Sequence, residues 1–118
     1  MNLTELFRHA TDLQTLTAGQ ILFKEGDTGE LMYVLMSGTA NILVNHRVVE
    51  TAEAGAIIGA MGMIDEGARS ATVVAKSDCK LLPIDRKRFN FLIQQTPHFA
   101  LHVMRVIAER LRRTDAIL

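Results

Sequence analysis

With 118 residues, the chain has the size of one ordinary domain, long enough to bury its own core and too short for two. Apolar residues make up 48% of it and charged residues 22%, which excludes a disordered or low-complexity segment. The 13 basic and 13 acidic residues cancel, so composition offers no broad positive field for nucleic acid or an anionic membrane. We therefore expect a single domain that binds neither by itself.

The first predicted element is a short helix near the start of the chain. Asn2 is a good helix cap, Glu5 follows it by three positions, and apolar residues recur at helical spacing from Leu3 to Leu13.

A region of short strands follows, from about residue 17 to residue 84. Brief apolar or alternating runs predict strands at Ile21–Phe23, Leu31–Met36, Ala40–Val44, Val48–Thr51, Ala71–Ala75 and Lys80–Ile84. Turn residues separate these runs, and the two-residue link Asn45–His46 predicts a tight hairpin. The spacing predicts a mainly β fold, an antiparallel β-roll of the jelly-roll type with flanking helices.

Two helices are predicted after the strands, at about residues 85–95 and 97–115. Asp85 suits a helix cap, and Thr96 and Pro97 suit the cap and first position of the second helix. The polar side chains of this long helix fill one arc: His102, Arg105, Glu109, Arg110, Arg112 and Arg113. The remaining arc of roughly 200° is apolar, about twice the usual core-facing stripe. We therefore expect one side to pack on the sheet and the other on a second copy, forming a homodimer.

The single cysteine, Cys79, has no partner for an internal disulfide, and no apolar run reaches the roughly 20 residues of a membrane span or resembles a signal segment. A reducing cytoplasm is the expected location. Cys79 is expected to be a small packed residue without a chemical role.

Two stretches of the strand region resemble the cyclic-nucleotide-binding domain family. Residues 19–29 (GQILFKEGDTG) and 32–38 (MYVLMSG) are similar to its opening strands, and residues 55–64 (GAIIGAMGMI) with 68–73 (ARSATV) to its phosphate-binding cassette. The resemblance implies a short helix after Gly59 whose amides, at Ala60 and Met61, face a cyclic phosphate. It also implies that Arg69 clamps the phosphate with its planar fork and that Ser70 adds a donor.

A third stretch, residues 108–114 (AERLRRT) of the long helix, is similar to the bacterial catabolite-activator type of transcription factor. There the resemblance implies that Thr114 touches the base and that Arg110 reaches toward the pocket. Relatives of this type continue into a DNA-binding domain, whereas this sequence stops at Leu118. Either the sequence is a piece of a longer chain, or it is a lone sensor that acts through a partner or through its own dimerisation, and both interpretations stay open.

The cassette departs from the family pattern at two positions. Ala60 stands where a glutamate usually accepts a hydrogen bond from the ribose 2′-hydroxyl, and Ala68 stands near a usual proline. A hydrogen bond to a charged group is worth roughly 1.5–3 kcal/mol, so its loss is expected to weaken affinity about ten- to a hundredfold.

The leading hypothesis is therefore a regulatory sensor that binds a cyclic nucleotide, cAMP ahead of cGMP, and moves its long helix to signal to an unidentified effector protein. The alternative is a degenerate domain with altered or lost nucleotide binding that serves as a dimerisation or protein-docking module. An enzyme of the metal-dependent cupin type is disfavoured, because the histidines do not form the required ligand set and His98 and His102 lack a third ligand. No catalytic residue, metal or catalytic cofactor is expected.

Overall fold

The computed structural model describes residues 1–65 and 67–117, with the side chains of residues 114–117 outside that description. The elements in chain order are α1 (Leu3–Leu6), β1 (Gln14–Leu16), β2 (Ile21–Phe23), β3 (Met32–Ser37), β4 (Ala40–Val44), β5 (Arg47–Ala52), β6 (Ile57–Ile58), α2 (Met61–Ile64), β7 (Thr72–Ala75), β8 (Cys79–Ile84), α3 (Arg86–Gln95) and α4 (His98–Ile117). This order confirms the predicted mainly β fold with flanking helices.

The strands form two four-stranded sheets. One has the order β1-β8-β3-β6 and the other the order β2-β7-β4-β5. The strand pairs of the described residues are antiparallel. In the second sheet β2 and β5 are the two edge strands, and this sheet supports the candidate site described below.

The hairpin between β4 and β5 has the predicted two-residue loop. Val44 pairs with Arg47, so Asn45 and His46 alone form the turn. Both have positive φ, 51° and 66° respectively, which is the backbone of a type I′ turn. Asparagine tolerates this conformation better than most residues, and the tight hairpin prediction is confirmed.

The core has two parts that share strand β3. Alternate side chains of a strand point to opposite faces, and here both faces are buried. Met32 and Val34 face the helices, where they pack with residues of α1, α3 and α4. Tyr33 and Leu35 face the second sheet and pack with residues of β4, β5 and β7.

The predicted caps of α1 and α3 are confirmed. The Asn2 side chain accepts a hydrogen bond from the Glu5 amide, and the Asp85 side chain accepts one from the Arg88 amide. Helix α4 begins at His98, one residue after the predicted start. Its Phe99 and Val103 side chains are buried, so the helix packs on its own domain as predicted.

Three details of the prediction are corrected. The first helix ends at Leu6, although apolar spacing predicted a continuation to Leu13, and β1 then begins at Gln14, before the predicted limit of the roll at residue 17. Strand β6 was also not predicted. Both strands have three residues or fewer, and each exists because a distant strand pairs with it, β8 for β1 and β3 for β6.

Candidate functional site

A cavity of about 340 Å³ lies on the sheet formed by β2, β7, β4 and β5. Its sheet side is apolar, with side chains from each of the four strands: Phe23, Ile42, Val44, Val49 and Val73. The segments 58–62 and 68–71 form one wall, and the α4 residues Ile107, Arg110, Leu111 and Arg113 form another. This volume is at the lower end of the usual range of small-molecule sites.

Arg69 is the buried charge of this cavity. Its side chain is only 8% exposed, although it lies in the loop before β7. The guanidinium donates from Nη2 to the Leu31 carbonyl at 2.7 Å and from Nη1 to the Gly59 carbonyl at 3.3 Å. Its Cζ atom lies 4.1 Å from the centre of the Phe23 ring, within the range of a cation–π interaction.

These contacts do not neutralise the positive charge of Arg69, because both hydrogen-bond acceptors are uncharged carbonyl groups. Its Nε atom is buried and has no hydrogen-bond partner among the described residues, and no carboxylate of those residues forms an ion pair with the guanidinium. Burial lowers the pKa of the Arg69 guanidinium, against smaller opposing effects of Tyr33 and Asp27. An arginine still remains charged at neutral pH, so this position is suited to an anion from outside the chain.

Three glycines make room for the guanidinium. A Cβ atom on Gly29 would lie 2.6 Å from Arg69 Nη2, and one on Gly59 would lie 2.7 Å from Nη1. A Cβ on Gly62 would lie 3.0 Å from Nη1 and 2.8 Å from the Gly29 carbonyl oxygen. Gly59 also has a φ of +76°, which disfavours any other residue there. We call Gly29, Gly59 and Gly62 the glycine cradle. A side chain at any of the three would crowd the Arg69 guanidinium.

The turn after Gly59 leads into the one-turn helix α2. Ala60 precedes this helix and is only 3% exposed, while the Met61 side chain is 46% exposed at the cavity. The amides of Gly62 and Met63 close the turn by donating to the carbonyls of Gly59 and Ala60. The amides of Gly62 and Met63 are therefore used within the turn itself.

A cluster of charges also lines the cavity. The Glu50 carboxylate on β5 accepts hydrogen bonds from Arg110 at 3.0 and 3.2 Å and from Arg113 at 2.9 Å. Burial, the largest single influence on this group, raises the pKa of Glu50, but the two arginines together outweigh it and the pKa is lowered. The carboxylate is therefore ionised at neutral pH.

The structure brings most of the predicted site residues to this one cavity: Gly59, Ala60, Met61, Arg69, Ser70 and Arg110. The Thr114 side chain lies outside the described residues. Sequence reasoning missed Glu50, Phe23 and Arg113. Glu50 is a charged residue within the predicted strand Val48–Thr51, but this alone does not indicate a role in the site. Phe23 and Arg113 carried no comparable signal.

The described part of the chain offers neither a metal site nor a membrane span. No group of three or more His, Cys, Asp or Glu side chains there could hold a metal ion. Within the same residues, no helix combines the length and apolar character that crossing a bilayer requires.

The chain is similar to a known protein family and to several proteins that contain its domain. The family model "Cyclic nucleotide-binding domain" matches residues 13–96. The "Cyclic AMP receptor protein" of Thermus thermophilus is 33% identical over 102 residues, which cover 82% of this chain and 47% of the relative. The "cGMP-dependent protein kinase" of Plasmodium berghei is 28% identical over 88 residues, covering 75% of this chain and 10% of the relative. The chain thus spans less than half the length of these relatives.

A solved structure extends the similarity to three dimensions. The catabolite activator protein of Thermus thermophilus superposes with a TM-score of 0.80 at 28% identity, covering 94% of this chain and 60% of that one. The family model alone matches well over half of the sequence and includes the segment from Gly59 to Arg69. The chain therefore belongs to the cyclic nucleotide-binding domain family.

Proposed function

We propose that this domain is a regulatory sensor whose Arg69 binds the cyclic phosphate of a nucleotide. The observation that carries the proposal is the buried guanidinium that lines the cavity with an unpartnered Nε atom and no carboxylate partner in the described residues. A planar cation presents paired N–H groups to two phosphate oxygens and gains more from them than neutral donors would. The glycine cradle supports this role, because it holds the guanidinium before any ligand arrives.

The other ligand contacts in this proposal are assigned from where the residues lie along the cavity. The amides of Ala60 and Met61 and the exposed Ser70 lie along the same wall as Arg69 and would donate to the phosphate. Arg110 and Thr114 are proposed to act at the other end, toward the base. The apolar sheet side would then cover the ribose and base faces.

The proposed ligand is cAMP ahead of cGMP. The cAMP receptor of Thermus thermophilus and the cGMP-dependent kinase of Plasmodium berghei both match, so the choice depends on the similarity of α4 to the catabolite-activator type. Ala60 supplies no carboxylate for the ribose, so we expect binding about ten- to a hundredfold weaker than with a glutamate at this position.

We further propose that ligand binding changes the position of α4 and that this movement is the output, read by a separate effector protein. The α4 residues Ile107, Arg110, Leu111 and Arg113 line the cavity. A ligand that contacts both the Arg69 wall and α4 binds one helix position more tightly than another, which shifts the population. In this proposal the domain has no catalytic activity, binds no nucleic acid or membrane itself, and works in the cytoplasm.

The test is isothermal titration with cAMP and cGMP separately, each carried to millimolar ligand. We expect saturable binding to the parent chain and at least about a hundredfold loss in Arg69→Ala, because two charge-assisted hydrogen bonds disappear. Arg47→Ala, which removes an exposed arginine of β5, is the matched control. Equal affinity of Arg69→Ala and the parent chain would refute the phosphate clamp.

A second candidate function, a dimerisation module that has lost its nucleotide, is favoured by Ala60. This residue is buried among apolar side chains and offers no ribose acceptor. The two functions predict different responses of the melting temperature to cyclic nucleotides, because a ligand that binds only the folded state raises it. A melting temperature unchanged by millimolar cAMP or cGMP would favour the module.

Homodimerisation through α4 is proposed for either function. Leu101, Met104 and Leu111 are 42%, 56% and 61% exposed and follow the spacing of a coiled-coil seam, with the half-buried Ala108 between them. Met104→Lys is expected to give monomers in sedimentation velocity, whereas Phe91→Lys, on an equally exposed apolar residue of α3, leaves dimers. Dimers of Met104→Lys, or monomers of the parent chain, would contradict this interface.

A further inference from the structure

The ion pairs of Glu50 join two parts of the molecule that are far apart in sequence. Glu50 lies on the edge strand β5, and its partners Arg110 and Arg113 lie 60 and 63 residues later on α4. Arg110 donates from two nitrogens to the two carboxylate oxygens, a bidentate arrangement that fixes the orientation of both groups. Arg113 adds a third donor on the same oxygen as Arg110 Nε.

These pairs differ from an ordinary surface ion pair. Exposed pairs contribute little because water and salt screen them and the side chains lose entropy. The Glu50 side chain is only 17% exposed and that of Arg110 25%, so screening is reduced here, although the Arg113 side chain is 52% exposed. All three residues also line the cavity.

Helix α4 depends on these contacts at its far end. Its fully buried side chains, Phe99 and Val103, lie in the first two turns. The residues that cover the cavity, from Ile107 to Arg113, are half-buried or exposed. Val106 and Ile107 still pack against the core, whereas the Glu50 carboxylate tethers the α4 residues that follow them.

We propose that Glu50 is a positioning residue of the binding site, which holds Arg110 and Arg113 against the cavity and keeps the second half of α4 over it. This inference deepens the proposed function and rests on it, because a change in nucleotide affinity is informative only if the cavity binds a nucleotide. Glu50 itself would repel an anionic ligand, so it acts through the two arginines that it orients. Loss of the Glu50 carboxylate would allow the second half of α4 to move away from the cavity more often.

Removal of the Glu50 charge has opposite effects on nucleotide binding in a positioning role and in a direct electrostatic role. Removal of a carboxylate near an anion strengthens the attraction of the remaining cations for it, so a purely electrostatic Glu50 predicts tighter nucleotide binding in Glu50→Gln. A positioning Glu50 predicts weaker binding, because the arginines are no longer oriented. The sign of the change in affinity therefore distinguishes the two.

The test compares Glu50→Gln with Glu53→Gln, which removes the same charge from an exposed position just after β5. Amide hydrogen exchange of residues 107–113 is measured without nucleotide, and cAMP affinity by titration. In Glu50→Gln we expect about tenfold faster exchange and about tenfold weaker binding, since charge-assisted hydrogen bonds are lost. Glu53→Gln is expected to match the parent chain in both.

Unchanged exchange in Glu50→Gln would overturn the tether, and unchanged or tighter binding would overturn the positioning role. Exchange is measured without ligand, so it decides the tether even if the parent chain binds no nucleotide and the proposed function fails. If Glu50→Gln does not fold, Arg110→Gln tests the same tether from α4, because it removes two of the three hydrogen bonds to Glu50. Faster exchange of residues 107–113 is expected, and unchanged exchange would overturn the tether.

Discussion

The substitution Gly29→Ala tests the cradle without altering the charge of the site. The new Cβ would lie 2.6 Å from Arg69 Nη2, and the guanidinium must retreat by about 0.8 Å to restore the 3.4 Å of ordinary contact. A shift of that size is enough to take the 2.7 Å bond to the Leu31 carbonyl to the edge of hydrogen-bond range. Gly29 does not have a positive φ, so the backbone itself accepts alanine.

We expect Gly29→Ala to weaken cyclic nucleotide binding about ten- to a hundredfold, the range for one displaced charge-assisted hydrogen bond. The cost in free energy of unfolding is expected to be about 1 kcal/mol, at the low end for overpacking. Titration calorimetry and urea denaturation measure the two effects. Gly67→Ala is the control, because its Cβ would make only ordinary contacts, at 3.5 Å or more from Asp65. An affinity of Gly29→Ala within twofold of the parent chain would refute the cradle.

Two predictions concern the turn that joins β3 to β4 and its neighbour β8. Gly38→Ala is expected to lower the free energy of unfolding by about 2 kcal/mol or more, measured by urea denaturation. The reason is that φ at Gly38 is +89° and a Cβ there would collide with the Asp78 carbonyl oxygen. A loss under about 0.5 kcal/mol would contradict this prediction. Cys79 is 1% exposed and burial raises the pKa of its thiol, so at a given pH less thiolate is present in the folded chain than in an exposed cysteine. A disulfide reagent at pH 8 should therefore modify Cys79 only as the chain unfolds, and immediate full labelling would be the contrary result.

The parts of the fold that could be predicted from sequence depend on local chemistry. Asn45 and His46 specify a turn because few residues tolerate two consecutive positive φ angles, and Asp85 specifies a helix start because its carboxylate reaches the third amide. The long helix was predicted from its own spacing. The strand β1 could not be predicted, because its three residues are stable only as partners of β8.

The candidate site divides in the same way. Arg69 and Gly59 could be predicted because they belong to a segment with a recognisable order of residue types. Glu50 could not, because its role depends on where α4 crosses β5, and that crossing is a property of the packed molecule. The role of Gly29 was hidden for a related reason, since its neighbour in space, Arg69, lies 40 residues away in sequence.

The sharing of β3 between the two parts of the core has a consequence for how the domain unfolds. Met32 and Val34 cannot leave the helices without a movement of the backbone that also carries Tyr33 and Leu35 out of the second sheet. The helical layer and the second sheet therefore cannot melt as separate units. A single cooperative transition follows, in which fluorescence of Tyr33 and the helical circular dichroism signal change together.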